Sequence, residues 1–153
     1  MPEEKPKWKR EISAGGVVYK KENNLIFILL IMPKGPNFGP PVGYWTFPKG
    51  LLDHDGEDKE EVAVREVKEE GGVEAGIKQE LGMAKYFRKS EYFGNAIKFV
   101  HFYLMEYVSG DPGNHDEEVA EAGWFPLEEV PKKLKFPHDK EIFEKSVKAL
   151  HLR

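Results

Sequence analysis

The chain reads as an α/β protein, a mixed β-sheet sandwiched between helices, in one domain spanning residues 1–153. Three observations predict this. Segments rich in Val, Ile, Leu and Phe stand before and after a central helical stretch, so strands flank a helix along the chain. A second amphipathic stretch ends the sequence and supplies another helix to cover the sheet. Finally, 153 residues with 40% hydrophobic and 12% aromatic side chains are enough for one core, since a chain of about 150 residues buries roughly 70% of its unfolded surface.

Taken in order, Ile12–Tyr19 and Leu25–Met32 are predicted strands, separated by the turn-like Lys20–Asn24. Gly15 and Gly16 interrupt the first, and an adjacent pair of glycines inside a strand marks a bulge or a close backbone approach. Pro33–Gly50 holds five prolines and four glycines in 18 residues, which predicts a long irregular loop with a short extended exit at Tyr44–Phe47. Irregular loops of that length inside a compact domain are usually functional. Asp58–Glu70 reads as a helix. It has no internal Gly or Pro, acids crowd its first turn where the macrodipole favours them, and Gly71–Gly72 stops it. Ile77–Phe87 and Ile97–Val108 are predicted strands, the second alternating Val100, Phe102 and Leu104 with Phe99, His101 and Tyr103. Gly123–Pro126 is a short strand, and Pro137–Leu150 a terminal helix whose Ile142, Phe143, Val147 and Leu150 form an apolar stripe.

Composition removes several chemistries. Without cysteine there are no disulfides, zinc–thiolate sites or thiol nucleophiles. The longest apolar run, Leu25–Met32, falls well short of the roughly 20 residues that span a membrane. The N-terminal MPEEKPKWKRE is charged and lacks an apolar signal core, so a cytoplasmic location is the expectation. The five histidines (His54, His101, His115, His138, His151) show no paired spacing for zinc and read as surface or strand residues. A net charge of −4 gives no sign of a stable nucleic-acid partner.

That average conceals a concentration. Asp53–Glu70 carries nine acids against three bases, a charge of −6, which leaves +2 for the rest of the chain. On the helix Glu66, Glu69 and Glu70 are three and four residues apart and project to one side, while Arg65 and Lys68 are expected to point elsewhere. Like charges so arranged repel, and a hard divalent cation reverses the sign of that interaction. Mg²⁺ in particular takes a few carboxylates and completes its shell with water and substrate phosphates. A calcium loop counted from Asp53 fails, because its sixth position is Asp58 rather than glycine and its twelfth is Val64 rather than glutamate.

The string Glu57, seven residues, then Arg65-Glu66-Val67-Lys68-Glu69-Glu70-Gly71-Gly72-Val73 resembles the signature of the Nudix hydrolases. From Glu57 onward every specified position matches. Gly50 precedes Glu57 by six residues where the signature asks for five, which the sequence reads as one extra residue in Leu51–Gly56, with Leu51 at the glycine position as the alternative. Outside the signature, Ser13–Val18 and Trp45-Thr46-Phe47-Pro48-Lys49-Gly50 resemble the diadenosine tetraphosphate hydrolase branch.

The resemblance implies a Nudix fold and a set of roles. Glu66, Glu69 and Glu70 would bind Mg²⁺ or Mn²⁺, Glu57 would help through metal waters or by pairing with Arg65, and Arg65 would orient. Glu118 would add a metal ligand or catalytic base, with Glu117 the alternative if the register slips by one. Lys49, between Pro48 and Gly50, would face phosphate as a point charge, and Lys98 would reach the bridging phosphates. A histidine often stands at the place of Tyr44 in animal members of the branch, so its proton-donating role does not transfer, and Tyr44 is left to hydrogen-bond or stack. Phe136 would stack on adenine, with Tyr86 supplying the other face.

The expected reaction is metal-dependent cleavage of a phosphoanhydride in a small nucleotide, with asymmetric hydrolysis of diadenosine tetraphosphate to ATP and AMP in the lead. Three alternatives stay open: 5′-triphosphorylated RNA, inositol polyphosphates or noncanonical nucleotides as substrate. A nonhydrolysing nucleotide-sensing module is the rival from another class.

Overall fold

The computed structural model describes residues 8–54 and 56–151, so Asp55 of the acidic segment and most of the charged N-terminus lie outside the described residues. Strand β1 (Lys9–Glu22) turns into β2 (Leu25–Pro33) through Asn23 and Asn24, whose φ values of 51° and 66° place both in the left-handed region. This is the geometry that two-residue hairpins favour, so the turn is two residues rather than the five predicted, and Glu22 pairs directly with Leu25. A short β3 (Lys49–Leu51) ends the Pro/Gly-rich loop. Helix α1 (Lys59–Gly71) follows, then β4 (Val73–Arg88), β5 (Ala96–Gly110) and β6 (Val119–Pro126). The chain closes with α2 (Val130–Lys133) and α3 (Pro137–His151).

The six strands form one sheet in the order β4-β5-β1-β2-β6, with β3 paired to β1 beside that path. Only β1 and β5 run parallel; the other pairs are antiparallel, so the sheet is mixed as predicted. Alternation along the strands sends side chains to opposite faces. Ala14, Val18, Leu29, Tyr103 and Met105 pack against Val62, Ala63 and Val67 of α1. Val17, Tyr19, Ile28, Leu30, Phe102 and Leu104 pack against Ile142 and Phe143 of α3. Helices thus cover both faces, and each fully buried Val, Leu or Ile contributes roughly 1.5–3 kcal/mol.

Several strands run longer than the sequence predicts, and one helix is new. β4 begins at Val73 rather than Ile77, because pairing with β5 overrides Glu74 and Gly76, with register shifts at three places. β6 begins at Val119 rather than Gly123, because Met32 and Pro33 of β2 offer it a partner. α2 is absent from the sequence reading; its Pro131 sits in the first turn, where the missing N–H costs nothing. Among the described residues no helix is long and apolar enough to cross a membrane.

β1 exchanges partners along one edge. Ser13–Gly15 pairs with β3 and Tyr19–Glu22 with β2, while β5 lines the other edge from Lys9 to Tyr19. Between the two partners the Gly16 amide donates to the Pro48 carbonyl at 3.1 Å. A Cβ on Gly15 would lie 2.3 Å from that same carbonyl oxygen, so the glycine pair is the close approach that the sequence anticipated. It brings the Pro48-Lys49-Gly50 corner down onto the sheet, beside α1.

Candidate functional site

The acidic helix is locally determined. Asp58 caps it by accepting from the Glu60 amide at 2.9 Å, and Gly72 ends it at φ 75°, its amide donating to the Lys68 carbonyl. Gly71 has a separate reason for being glycine: a Cβ there would meet Leu29 Cδ2 at 2.6 Å. The loop after β5 then docks on the helix end, where the Asp116 amide donates to the Glu69 carbonyl at 2.8 Å. Docking brings Asp116 and Glu118 beside Glu66, Glu69 and Glu70.

Glu66 is half-buried against Gly50, where an added Cβ would stand 2.0 Å from the Glu66 carboxyl carbon. Gly50, and not the exposed Leu51, therefore fits the signature glycine, and the extra residue falls in the loop that follows. Burial, reinforced by the Glu69 charge, pushes the Glu66 pKa up to about 7. Glu70 accepts a hydrogen bond from the Lys49 amide at 3.0 Å, yet burial still pushes it up to about 8. Glu118 is raised by burial and by the charges of Asp116 and Glu69. Glu69, Glu117 and Glu118 are exposed. Glu118 lines a cleft with Glu70, and Glu117 does not line it.

Arg65 departs from the expectation that it points away from these acids. Its guanidinium donates to Glu57 Oε2 at 3.0 Å and lies 3.7 Å from Asp53 and 4.0 Å from Glu66. Glu57 also accepts from the Asp53 amide at 2.6 Å. That bond, then Arg65, holds its carboxyl below the usual carboxylate range. The longer loop thus folds back so that Glu57 braces Arg65. Lys68 does point away, pairing with Glu74 at 2.9 Å.

Hard oxygen donors, partly buried and mutually repelling, suit Mg²⁺ or Mn²⁺. Among the described residues, though, no three His, Asp or Glu side chains already converge closely enough to hold an ion. The fit is one of donor chemistry rather than of a finished cage, as befits a metal that fills its shell with water and phosphate oxygens.

Across the Lys49–Glu70 hydrogen bond lies a cleft of about 480 Å³ that gathers Tyr44, Lys49, Tyr86, Lys98 and Phe136 in one place. Lys49 Nζ donates to Thr46 Oγ1 at 3.3 Å, and Thr46 in turn donates to Asp139 Oδ2 at 2.7 Å. Burial pulls the Lys49 ammonium down, but Tyr86, Asp139, Glu70 and Tyr44 outweigh it and hold the pKa above the ordinary lysine value. Lys98 pairs with Glu11 at 3.1 Å, which Arg88 also contacts at 2.8 Å; burial leaves Lys98 below the ordinary lysine value. Tyr44 packs edge-on to Phe136 with centroids 4.9 Å apart.

Two corrections concern His138. It is neither a plain surface nor a strand residue: it lies in the first turn of α3 and lines this cleft. Its imidazole stacks on Tyr86 at 3.8 Å and 4°, and on Phe136 at 5.2 Å and 14°. One face of Tyr86 is thereby covered, so Tyr86 and Phe136 do not form the open two-ring slot implied by the resemblance. Asp116, Thr46, His138 and Asp139 were the site neighbours that sequence reasoning missed. Their only signal was proximity along the chain to recognised residues: Thr46 to Lys49, Asp116 to Glu118, and His138 and Asp139 to Phe136.

Comparison with known proteins agrees with this architecture. A family model described as the NUDIX domain matches residues 9–145. The MutT4 protein of Mycobacterium tuberculosis is 36% identical over 101 residues, which cover 65% of this chain and 40% of that protein. The chain therefore spans well under half the length of that relative. The ADP-ribose pyrophosphatase of Methanocaldococcus jannaschii is 32% identical over 131 residues, 86% of this chain and 70% of that one. Among solved structures, a binary complex of the C. elegans Ap4A hydrolase superposes with a TM-score of 0.74 at 25% identity, covering 94% of this chain and 99% of that one. With its signature helix, its mixed sheet and a family match over most of its length, this chain belongs to the NUDIX family.

Proposed function

We propose that the protein is a divalent-metal-dependent hydrolase of phosphoanhydride bonds in nucleoside polyphosphates, and that its leading substrate is diadenosine tetraphosphate, cleaved asymmetrically to ATP and AMP. One observation carries the reading. A cluster of carboxylates, Glu66 and Glu70 partly buried with Glu69 and Glu118 exposed beside them, meets, through the Lys49–Glu70 bond, a cleft with two lysines and stacked aromatic rings. A ligand with metal-bound phosphates at one end and a base at the other matches both halves.

Glu66, Glu69, Glu70 and Glu118 would hold Mg²⁺ or Mn²⁺. When bound, the ion would neutralise phosphate charge and lower the pKa of a water for in-line attack. Lys49, held by Thr46 and by its main-chain bond to Glu70, presents a fixed positive charge to the phosphate chain. Lys98 adds a second, tethered to Glu11. Glu57 and Asp53 brace Arg65 beside the first turn of the acid cluster. Tyr44, Tyr86 and Phe136 offer ring surface to the base once the His138 side chain gives way.

Turnover of a nucleotide panel, with products separated by anion exchange, tests the proposal. ATP with AMP from diadenosine tetraphosphate is the expected result, in the presence of Mg²⁺ or Mn²⁺ only. Two ADP would contradict the cleavage position, and no turnover of any diphosphate linkage would overturn the hydrolase reading. Glu69→Gln and Glu70→Gln are expected to lose at least about a hundredfold in kcat; equal activity in both would sink the site. A second reading, an adenosine-containing diphosphate such as ADP-ribose, is favoured by the likeness to the archaeal pyrophosphatase over 86% of this chain. The same panel separates the two.

A further inference from the structure

The aromatic cleft beside Lys49 accounts for one base. A second cleft, of about 450 Å³, opens on the other side of Pro33, which lines both. Its walls include Phe38, Tyr92 and Phe93, and its floor includes Glu70 and Glu118. The three rings are 53%, 58% and 50% exposed, large apolar surface that the core does not use. They come from two separate turns, Pro36–Phe38 and 90–94, and the turns are tied together: Tyr92 donates its hydroxyl to Asn37 Oδ1 at 2.8 Å. Tyr92 also packs edge-on to Phe93 with centroids 4.7 Å apart. The 90–94 turn is closed by the Gly94 amide on the Ser90 carbonyl and by the Phe93 amide on Ser90 Oγ.

Phe38 is held out at a conformational cost. Asn37 and Phe38 have φ of 56° and 53°, a region that a bulky side chain such as Phe rarely adopts. No residue of that turn is buried, so core packing does not explain it. A strained, solvent-facing Phe beside two further exposed rings is ring surface positioned for a planar partner. Glu70, which accepts from the amide of Lys49 in the first cleft, lines the second with Glu118, and both are acids assigned to the metal. A phosphate chain resting on them has aromatic surface available at both ends.

We propose that the Phe38–Tyr92–Phe93 cleft binds the second nucleobase of a dinucleoside polyphosphate. This rests on the hydrolase reading above and deepens it, because it requires a substrate carrying a base at each end.

The test compares kcat/KM for diadenosine tetraphosphate with kcat/KM for adenosine 5′-tetraphosphate, the same phosphate chain without the second nucleoside. The ratio is insensitive to the fraction of folded enzyme, since unfolded protein lowers both arms alike. In the natural protein the ratio is expected to exceed about ten, the order carried by one base stack. Phe38→Leu, Tyr92→Leu and Phe93→Leu are each expected to cut it severalfold, and the triple variant to bring it near one. Phe38→Trp should preserve it. A ratio unchanged in the triple variant, or already near one in the natural protein, overturns the second subsite while leaving the hydrolase reading intact. No turnover of either compound overturns the second subsite together with the dinucleoside polyphosphate substrate on which it rests.

Discussion

At the level of single residues, the acid cluster stores its electrostatics in two protons. Glu66 is pushed up to about 7 and Glu70 to about 8, chiefly by burial, with Glu69 and Asp116 adding repulsion. Both folded-state values lie above the ordinary 4.5, so the folded protein holds these protons more tightly than the unfolded chain does. The stabilisation they give is complete below the unfolded value and is lost as pH rises through about 7 and then about 8. The metal-free protein is therefore expected to lose stability across that interval in urea denaturation, and Glu70→Gln to flatten the upper part of the loss. Divalent ions compete for the same carboxylates, so their binding is expected to release protons. Calorimetry in two buffers of different ionisation enthalpy reads that release directly.

At the level of elements, α1 and the Gly50 corner act as one device. The helix was legible to within one residue at each end, because acids in the first turn, offsets of three and four between the carboxylates, and a glycine stop are all local features; that Asp58 caps it came from the structure. The corner was only half legible, because Gly50 matters through a contact 16 residues away, with Glu66. Gly50→Ala places a methyl where the Glu66 carboxyl now lies, and a carboxyl at the end of a flexible side chain moves more readily than backbone. The variant is expected to keep its fold, by circular dichroism, while its half-saturating Mn²⁺ concentration rises about tenfold. An unchanged metal dependence would show that Glu66 takes no part in holding the ion. The paired glycines Gly15 and Gly16 were equally readable as a close approach, but not what approaches, which is the Pro48 carbonyl.

At the level of the whole molecule, the sheet separates two apolar layers, and the loop leading to Lys49 reaches both, through Phe47 on the α3 side and through the Lys49–Glu70 bond on the α1 side. Phe47 is fully buried in the α3-side layer, edge-on to Phe102 with centroids 5.9 Å apart. Ile31 and Thr46 exchange two main-chain bonds at 2.8 and 2.9 Å, which fix the loop to β2. Phe47→Ala is expected to cost about 3–5 kcal/mol in urea unfolding, a large share of the roughly 5–15 kcal/mol typical of a domain. A loss under about 1 kcal/mol would mean that the loop is held by its main-chain bonds alone.

The sequence by itself determined the α/β class, the acidic helix with its glycine stop, and the identity of the acids on one side of it, because each depends on contacts within a few residues along the chain. Lys49, Lys98, Tyr86 and Phe136 were named by resemblance, and only tertiary structure brought them into one cleft. It also decided what no local pattern encodes. Asp116 joins the acids because a loop after β5 docks on the end of α1. Thr46 and Asp139, 93 residues apart, meet because β1 exchanges β3 for β2 along one edge while α3 covers that face. His138 covers Tyr86 for the same reason. Charge spacing is written in a helix, whereas the partners of a buried charge are set by which strands lie side by side.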